Sequence, residues 1–243
     1  MSDQAASTFN PIRAIVDTVR ASIGDDVQIV VPKGTPAKPL IPLSIGDPTL
    51  FGNLKYPDTV NKIISKLLES GKYNGYPPSV GYPEARAAIA ERYSPKDHPL
   101  TAEDVCITSG CSGALAIAIP VLANSGDNIL TPRPGFSLYQ TIALNSGIKV
   151  KNYDLKPDCD WEIDLAHMES QIDDRTKAIL ILNPSNPTGS NYSKEHVLDI
   201  LAVAEKHKLP IIADEIYGEL MVFGGKPFYS LASLSTNVPV LAV

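Results

Sequence analysis

Asn186, Asp214 and Tyr217 bring an amide, a carboxyl and a phenol to the ends of two short apolar runs, residues 178–182 (AILIL) and 209–213 (LPIIA). A carboxylate directed from a strand end into a closed crevice is destabilised unless a positive group faces it. The unperturbed pKa of an aspartic acid is about 3.9, so beside a protonated heteroaromatic nitrogen Asp214 would stay ionised and hold the proton on the ring. The amide and the phenol can each donate a hydrogen bond, which suits an oxyanion on that same ring. Taken singly, Asp214 reads as a strand cap and Tyr217 as a core aromatic. The whole string NPSNPTG (residues 183–189), with DEIY (residues 214–217) behind the next apolar run, reads instead as one binding site.

Pyridoxal 5'-phosphate carries such a ring: a pyridine nitrogen that becomes cationic when an acid holds its proton, and a phenolate oxygen. The elements that would position the three side chains follow from periodicity. Both apolar runs have the length and β-branched content of a buried strand, and residues 194–207 carry Val197, Leu198, Leu201 and Ala204 at helical spacing. A β-α-β unit makes the two strands parallel, so their carboxyl ends open on one edge of the sheet, where open α/β folds bind ligands.

A second site signal lies upstream. Residues 105–108 read as a strand, 109–113 (SGCSG) as a small-residue turn and 114–122 as an apolar helix. The free N–H groups and dipole of a helix start attract an anion, so a cofactor phosphate would sit on the backbone around Cys111 and on the Ser112 hydroxyl. The loop is not a P-loop, since GxxxxGK[ST] is absent. Residues 128–130 read as the next strand, residues 131–135 (TPRPG) as a stiff loop presenting Phe136, and Tyr139 as support for that ring.

The remaining expectations are structural. Residues 10–19 read as a short helix, 24–42 as a Pro-rich linker, 58–70 as an amphipathic helix stopped by Gly71, and 83–93 as a helix opened by Pro83. Residues 150–153 read as a strand, 161–172 as a helix and 238–243 as a last apolar run. Residues 71–82 hold aromatics among turn formers, a mixture that often carries function.

Composition excludes several classes. A chain of 243 residues with 44% apolar and 20% charged residues is ordinary for a soluble enzyme. A net charge of -6 argues against a nucleic-acid partner. No run approaches the roughly 18 apolar residues of a membrane span, and MSDQAAS lacks signal-peptide features; the expected location is cytoplasmic. Three cysteines without CxxC spacing imply neither a disulfide framework nor a metal site, and the four histidines read as surface residues.

These motifs resemble those of the class-I, pyridoxal-phosphate-dependent aminotransferases of fold type I. The resemblance rests on FNPIRAIVD, LSIGDPT, GKYNGYPPSVG, TSGCS, PRPGFSLY, WEIDL, NPSNPTGS and ADEIYG, and FNPIR, PRPGFSLY and WEIDL look like the tyrosine-specific branch. It implies an α/β fold, the three-layer, mostly parallel sheet of the fold type I large domain, incomplete at its C-terminal end. Residues 1–75 would be an arm, a linker and part of the small domain, and residues 76–243 a partial cofactor-binding domain. It implies cofactor contacts from Cys111, Ser112, Phe136, Asn186, Asp214 and Tyr217, and from Tyr76 toward a neighbouring subunit of a homodimer. Gly46, Asn186 and Arg13 would lie on the substrate side. The implied substrates are amino acids and 2-oxo acids. The lysine that forms the Schiff base is expected beyond Val243, so no catalytic residue is assigned within this chain, and Lys226 sits in the wrong motif. Two alternatives stay open: a non-catalytic chain that binds or pairs with a full-length subunit, and a pyridoxal-phosphate-dependent lyase on the same scaffold.

Overall fold

A computed structural model describes residues 8, 14–18, 21, 55–95, 98–219 and 225–243. The linker at 24–42, Gly46 and Arg13 lie outside the described residues. Two compact units divide the chain, one over Pro11–Ser79 and one over Met1–Asn10 with Val80–Val243.

In the smaller unit residues 14–18 are helical, and α1 (Asp58–Ser70) forms where the apolar spacing places it. Asp58 in the first turn complements the helix dipole. Gly71 at φ 62° sends its N–H back to Leu68 O and ends the helix. Its stripe of Ile63, Ile64, Leu67 and Leu68 stays exposed.

In the larger unit α2 (Pro83–Tyr93) opens on Pro83 and buries Arg86 and Ala90. The buried Arg86 guanidinium donates to Ala102 O at 2.7 Å and pairs with Glu103. The next elements are α3 (Gly110–Leu122), β1 (Asn128–Arg133), α4 (Leu138–Asn145), β2 (Lys149–Lys156), β3 (Glu162–Ile163) and α5 (Leu165–Ser170). β4 (Thr176–Leu182), α6 (Lys194–His207), β5 (Ile211–Asp214), α7 (Leu231–Leu234) and β6 (Val240–Ala242) complete the order. The sheet runs β3-β2-β1-β4-β5-β6, parallel except for the short antiparallel pairing of β3 on β2.

Side-chain alternation along the strands separates two cores and makes the three layers. Ile129, Ala178, Leu180, Leu182 and Ile212 meet Leu115, Ile119, Tyr139 and Ala143 of α3 and α4. Leu130, Ile179, Ile181, Ile211 and Ala213 meet Met168 of α5 and Val197, Ile200, Leu201 and Ala204 of α6. Each buried Leu, Ile, Val or Met side chain among them contributes about 1.5–3 kcal/mol on burial. Ser193 caps α6 by accepting the His196 N–H.

Four local expectations are corrected. Residues 105–108 are not a strand: Val105 is extended, at φ -118° and ψ 129°, but Ile107 N–H to Val80 O is an isolated bond, and a strand needs a ladder. The helix expected over 161–172 shrinks to α5, because Asp164 accepts the His167 N–H as its cap and the residues before it pair with β2. On α6 it is Ile200, not Leu198, that packs; Leu198 points outward. His196 is buried rather than superficial, its Nε2 accepting the Ile163 N–H at 2.9 Å beside Tyr192.

Glu215 ties the end of β5 to α7 by accepting the Leu231 N–H at 2.7 Å. Burial pushes its carboxyl up to about 7, against the lowering effect of that bond. The folded chain therefore keeps a proton that the unfolded chain releases near pH 4.3, so stability falls as pH rises between about 4.5 and 7 and then levels. Glu215→Gln keeps an acceptor and removes the titration. In urea denaturation it should gain about 2–3 kcal/mol on the wild type between pH 5 and pH 8; parallel pH profiles for the two proteins would refute this account.

Candidate active site

The parallel strands β1, β4 and β5 all end on one edge, and three connections rise from there. β4 and β5 are in register through Leu182 and Asp214, and the Asn183 N–H extends the pairing to Asp214 O at 3.0 Å. The loop that follows closes on itself: Ser185 N–H donates to Ser190 O and Gly189 N–H to Ser185 O, both at 2.8 Å. The Asn183 side-chain oxygen accepts the Tyr192 N–H at 3.0 Å. Asn186 is thereby presented at the tip of a braced loop.

After β1 the turn to α4 needs Gly135. A Cβ there would come within 2.5 Å of Pro132 O, so only glycine lets the chain turn tightly enough to bring Phe136 over the strand ends. β1 itself runs to Arg133, farther than the expected residues 128–130. Phe136 meets Tyr139 edge-on, with ring centroids 5.8 Å apart.

Together these elements enclose a cavity of about 190 Å³, lined by Cys111, Ser112, Phe136, Asn186, Asp214 and Tyr217 and floored by Leu115, Tyr139 and Leu182. The structure thus gathers six of the sequence-derived site residues into one space. Tyr76 lies in the other unit, where its side chain is fully exposed.

Asp214 governs the electrostatics. It is 2% exposed, its Oδ2 accepts the Tyr139 hydroxyl at 2.7 Å, and its Oδ1 accepts the Ile216 N–H at 3.3 Å. The Cys111 thiol adds a further donor. All three donors are neutral, and burial outweighs them, so the carboxyl is raised above the usual carboxylate range. The Cys111 thiol is itself pushed up to about 12 by burial and by Asp214, which makes it a donor and not a nucleophile. Across the cavity α3 offers its N-terminus, Cys111 and Ser112 standing in the first turn of a thirteen-residue helix.

The arrangement fits a flat cationic ring that bears an anionic group: a buried acid whose partners among the described residues are neutral, an apolar wall, and a helix start. A model of the family described as "Aminotransferase class I and II" matches residues 38–243. The chain belongs to that aminotransferase family. Pyridoxal 5'-phosphate is the cofactor that membership implies. Tyrosine aminotransferases of Mus musculus and Homo sapiens are 52% and 51% identical to the chain over 241 residues, 99% of its length. The chain spans about half the length of the curated relatives it matches. Among solved structures, tyrosine aminotransferase from Leishmania infantum superposes with a TM-score of 0.86 at 38% identity, over the whole of this chain and 60% of its own. Alanine aminotransferase from Pyrococcus furiosus gives 0.86 at 34% identity, over the whole of this chain and 58% of its own.

Sequence reasoning missed the hydroxyl of Tyr139 and the thiol of Cys111 as partners of Asp214. The interval between Phe136 and Tyr139, about one helical turn, was a signal that the two share a face, but only the packing of α4 on the sheet shows where the hydroxyl ends. Gly135→Ala should lower stability by about 1–3 kcal/mol and displace Phe136 from the cavity. Denaturant unfolding would show the first effect and a shift of the Phe136 ring signals in NMR the second, and an unchanged midpoint would refute the steric argument.

Proposed function

We propose that this chain carries the cofactor-holding part of an enzyme that moves the amino group of L-tyrosine to 2-oxoglutarate, forming 4-hydroxyphenylpyruvate and glutamate. The observation that carries the reading is the burial of the Asp214 carboxyl in a cavity where its partners are neutral donors. The names of the relatives at 52% and 51% identity support the choice of substrate.

In this reading Asp214 holds the proton on the ring nitrogen, and a cation there offsets the cost of the buried charge. Pyridoxal phosphate, when bound, supplies an electron sink for negative charge at the substrate α-carbon. Asn186 and Tyr217 donate to the phenolate oxygen. Phe136 covers one ring face and keeps water from it. Cys111 and Ser112 hold the phosphate at the start of α3. Asn186 also takes the substrate side, residues 1–75 serve as arm, linker and part of the small domain, and residues 76–243 form the cofactor domain. The working form is a cytoplasmic homodimer in which the exposed Tyr76 reaches the phosphate site of the second copy.

One observation favours a second reading. Among the described residues no lysine lines the cavity, which suits a chain that holds the cofactor without turnover and pairs with a full-length subunit. Absorbance titration of the 243-residue chain with pyridoxal 5'-phosphate should show reversible binding that borohydride does not fix at the cavity. Asp214→Ala should weaken that binding about tenfold to a hundredfold. Equal affinity in wild type and variant would refute the cofactor reading. Turnover of tyrosine by the chain alone would refute the expectation that it is inactive by itself.

A further inference from the structure

We propose that Tyr139 is a positioning residue for the cofactor: its buried hydroxyl holds the Asp214 carboxylate that would meet the ring nitrogen. The inference rests on the cofactor reading above and deepens it.

The geometry is specific. Tyr139 is 1% exposed, in the core between α4 and the sheet, and its hydroxyl reaches Asp214 Oδ2 at 2.7 Å. Oδ1 is engaged separately, by the Ile216 N–H at 3.3 Å. Each carboxylate oxygen thus accepts from a different element, one from α4 and one from the turn after β5, and two anchors fix the plane of the group where one would let it rotate. The hydroxyl contact is the shorter of the two, as expected for an O–H donor compared with a peptide N–H.

Among the described residues, the titratable groups facing Asp214 are the Tyr139 phenol of α4, the Cys111 thiol of α3 and the neighbouring Glu215. None is a cation. The phenol does not lose its own proton, because burial and the facing carboxylate push it far above its usual range, so it acts as a permanent donor. Without it the carboxylate would keep one backbone N–H and a thiol inside apolar walls, and its affinity for a proton would rise. A protonated Asp214 can no longer favour a proton on the ring nitrogen. The same tyrosine ring supports Phe136 edge-on, a contact that Tyr139→Phe retains, so this substitution separates the hydroxyl from the packing.

The test uses the 243-residue chain. Carbon-13 NMR of labelled aspartate carboxyls, with the Asp214 signal identified by its loss in Asp214→Asn, follows the titration of this one group without cofactor. In Tyr139→Phe the midpoint should move up by about one pH unit, and pyridoxal 5'-phosphate should bind about tenfold more weakly at neutral pH, the gap closing as pH rises. Tyr139→His, which restores a donor, should bring the midpoint back toward that of the wild type and covers the case in which Tyr139→Phe does not fold. An Asp214 midpoint unmoved by Tyr139→Phe overturns the inference, as does identical cofactor affinity at every pH. If the midpoint moves but Asp214→Asn binds pyridoxal 5'-phosphate as tightly as the wild type, the cofactor reading itself has failed and the positioning role falls with it.

Discussion

A carboxylate withdrawn from water at the end of a central strand is the constraint that the rest of this structure answers. The effective penalty for such a charge is several kcal/mol unless partners offset it. Around Asp214 the partners are a phenol, a backbone N–H and a thiol. They lower the carboxyl's proton affinity without overcoming its burial, so the carboxyl stays raised above the usual carboxylate range. In the function proposed above, a protonated ring nitrogen would face Asp214 and offset the cost of its buried charge.

The floor of the cavity is also hydrophobic core. Leu115, Tyr139 and Leu182 pack into the cluster between α3, α4 and the sheet, and the same side chains line the cavity. Stability and site geometry are therefore coupled on this face of the sheet. The opposite face, where α5 and α6 pack, contributes register: it fixes β4 beside β5 so that the braced loop carrying Asn186 and the strand end carrying Asp214 face one another. Parallel strands make this economical, since all their carboxyl ends open on one edge.

Much of this was legible from residue order. The β4-α6-β5 unit was readable because its strands are buried on both faces and hence continuously apolar, while its helix has a polar side and hence a period. Phe136, Asn186, Asp214 and Tyr217 were readable because they stand at or just after strand ends in local motifs, and Cys111 and Ser112 because a small-residue turn opens a helix there. Residues 105–108 misled because β propensity records a preference for extended backbone, and Val105 does adopt it, whereas a strand exists only through a neighbour's hydrogen bonds. His196 misled because a titratable side chain near a helix start looks solvated until β3 is known to deliver the Ile163 N–H to it.

By itself the sequence determined the β4-α6-β5 unit, the parallel pairing implied by its β-α-β spacing and the kinds of chemical group brought to the strand ends, since these follow from local periodicity and motif. Tertiary structure alone decided which of those groups touch. The Tyr139 hydroxyl meets a carboxylate 75 positions away because α4 packs on the same face as Asp214, and no local pattern encodes a contact that depends on two elements meeting across a sheet.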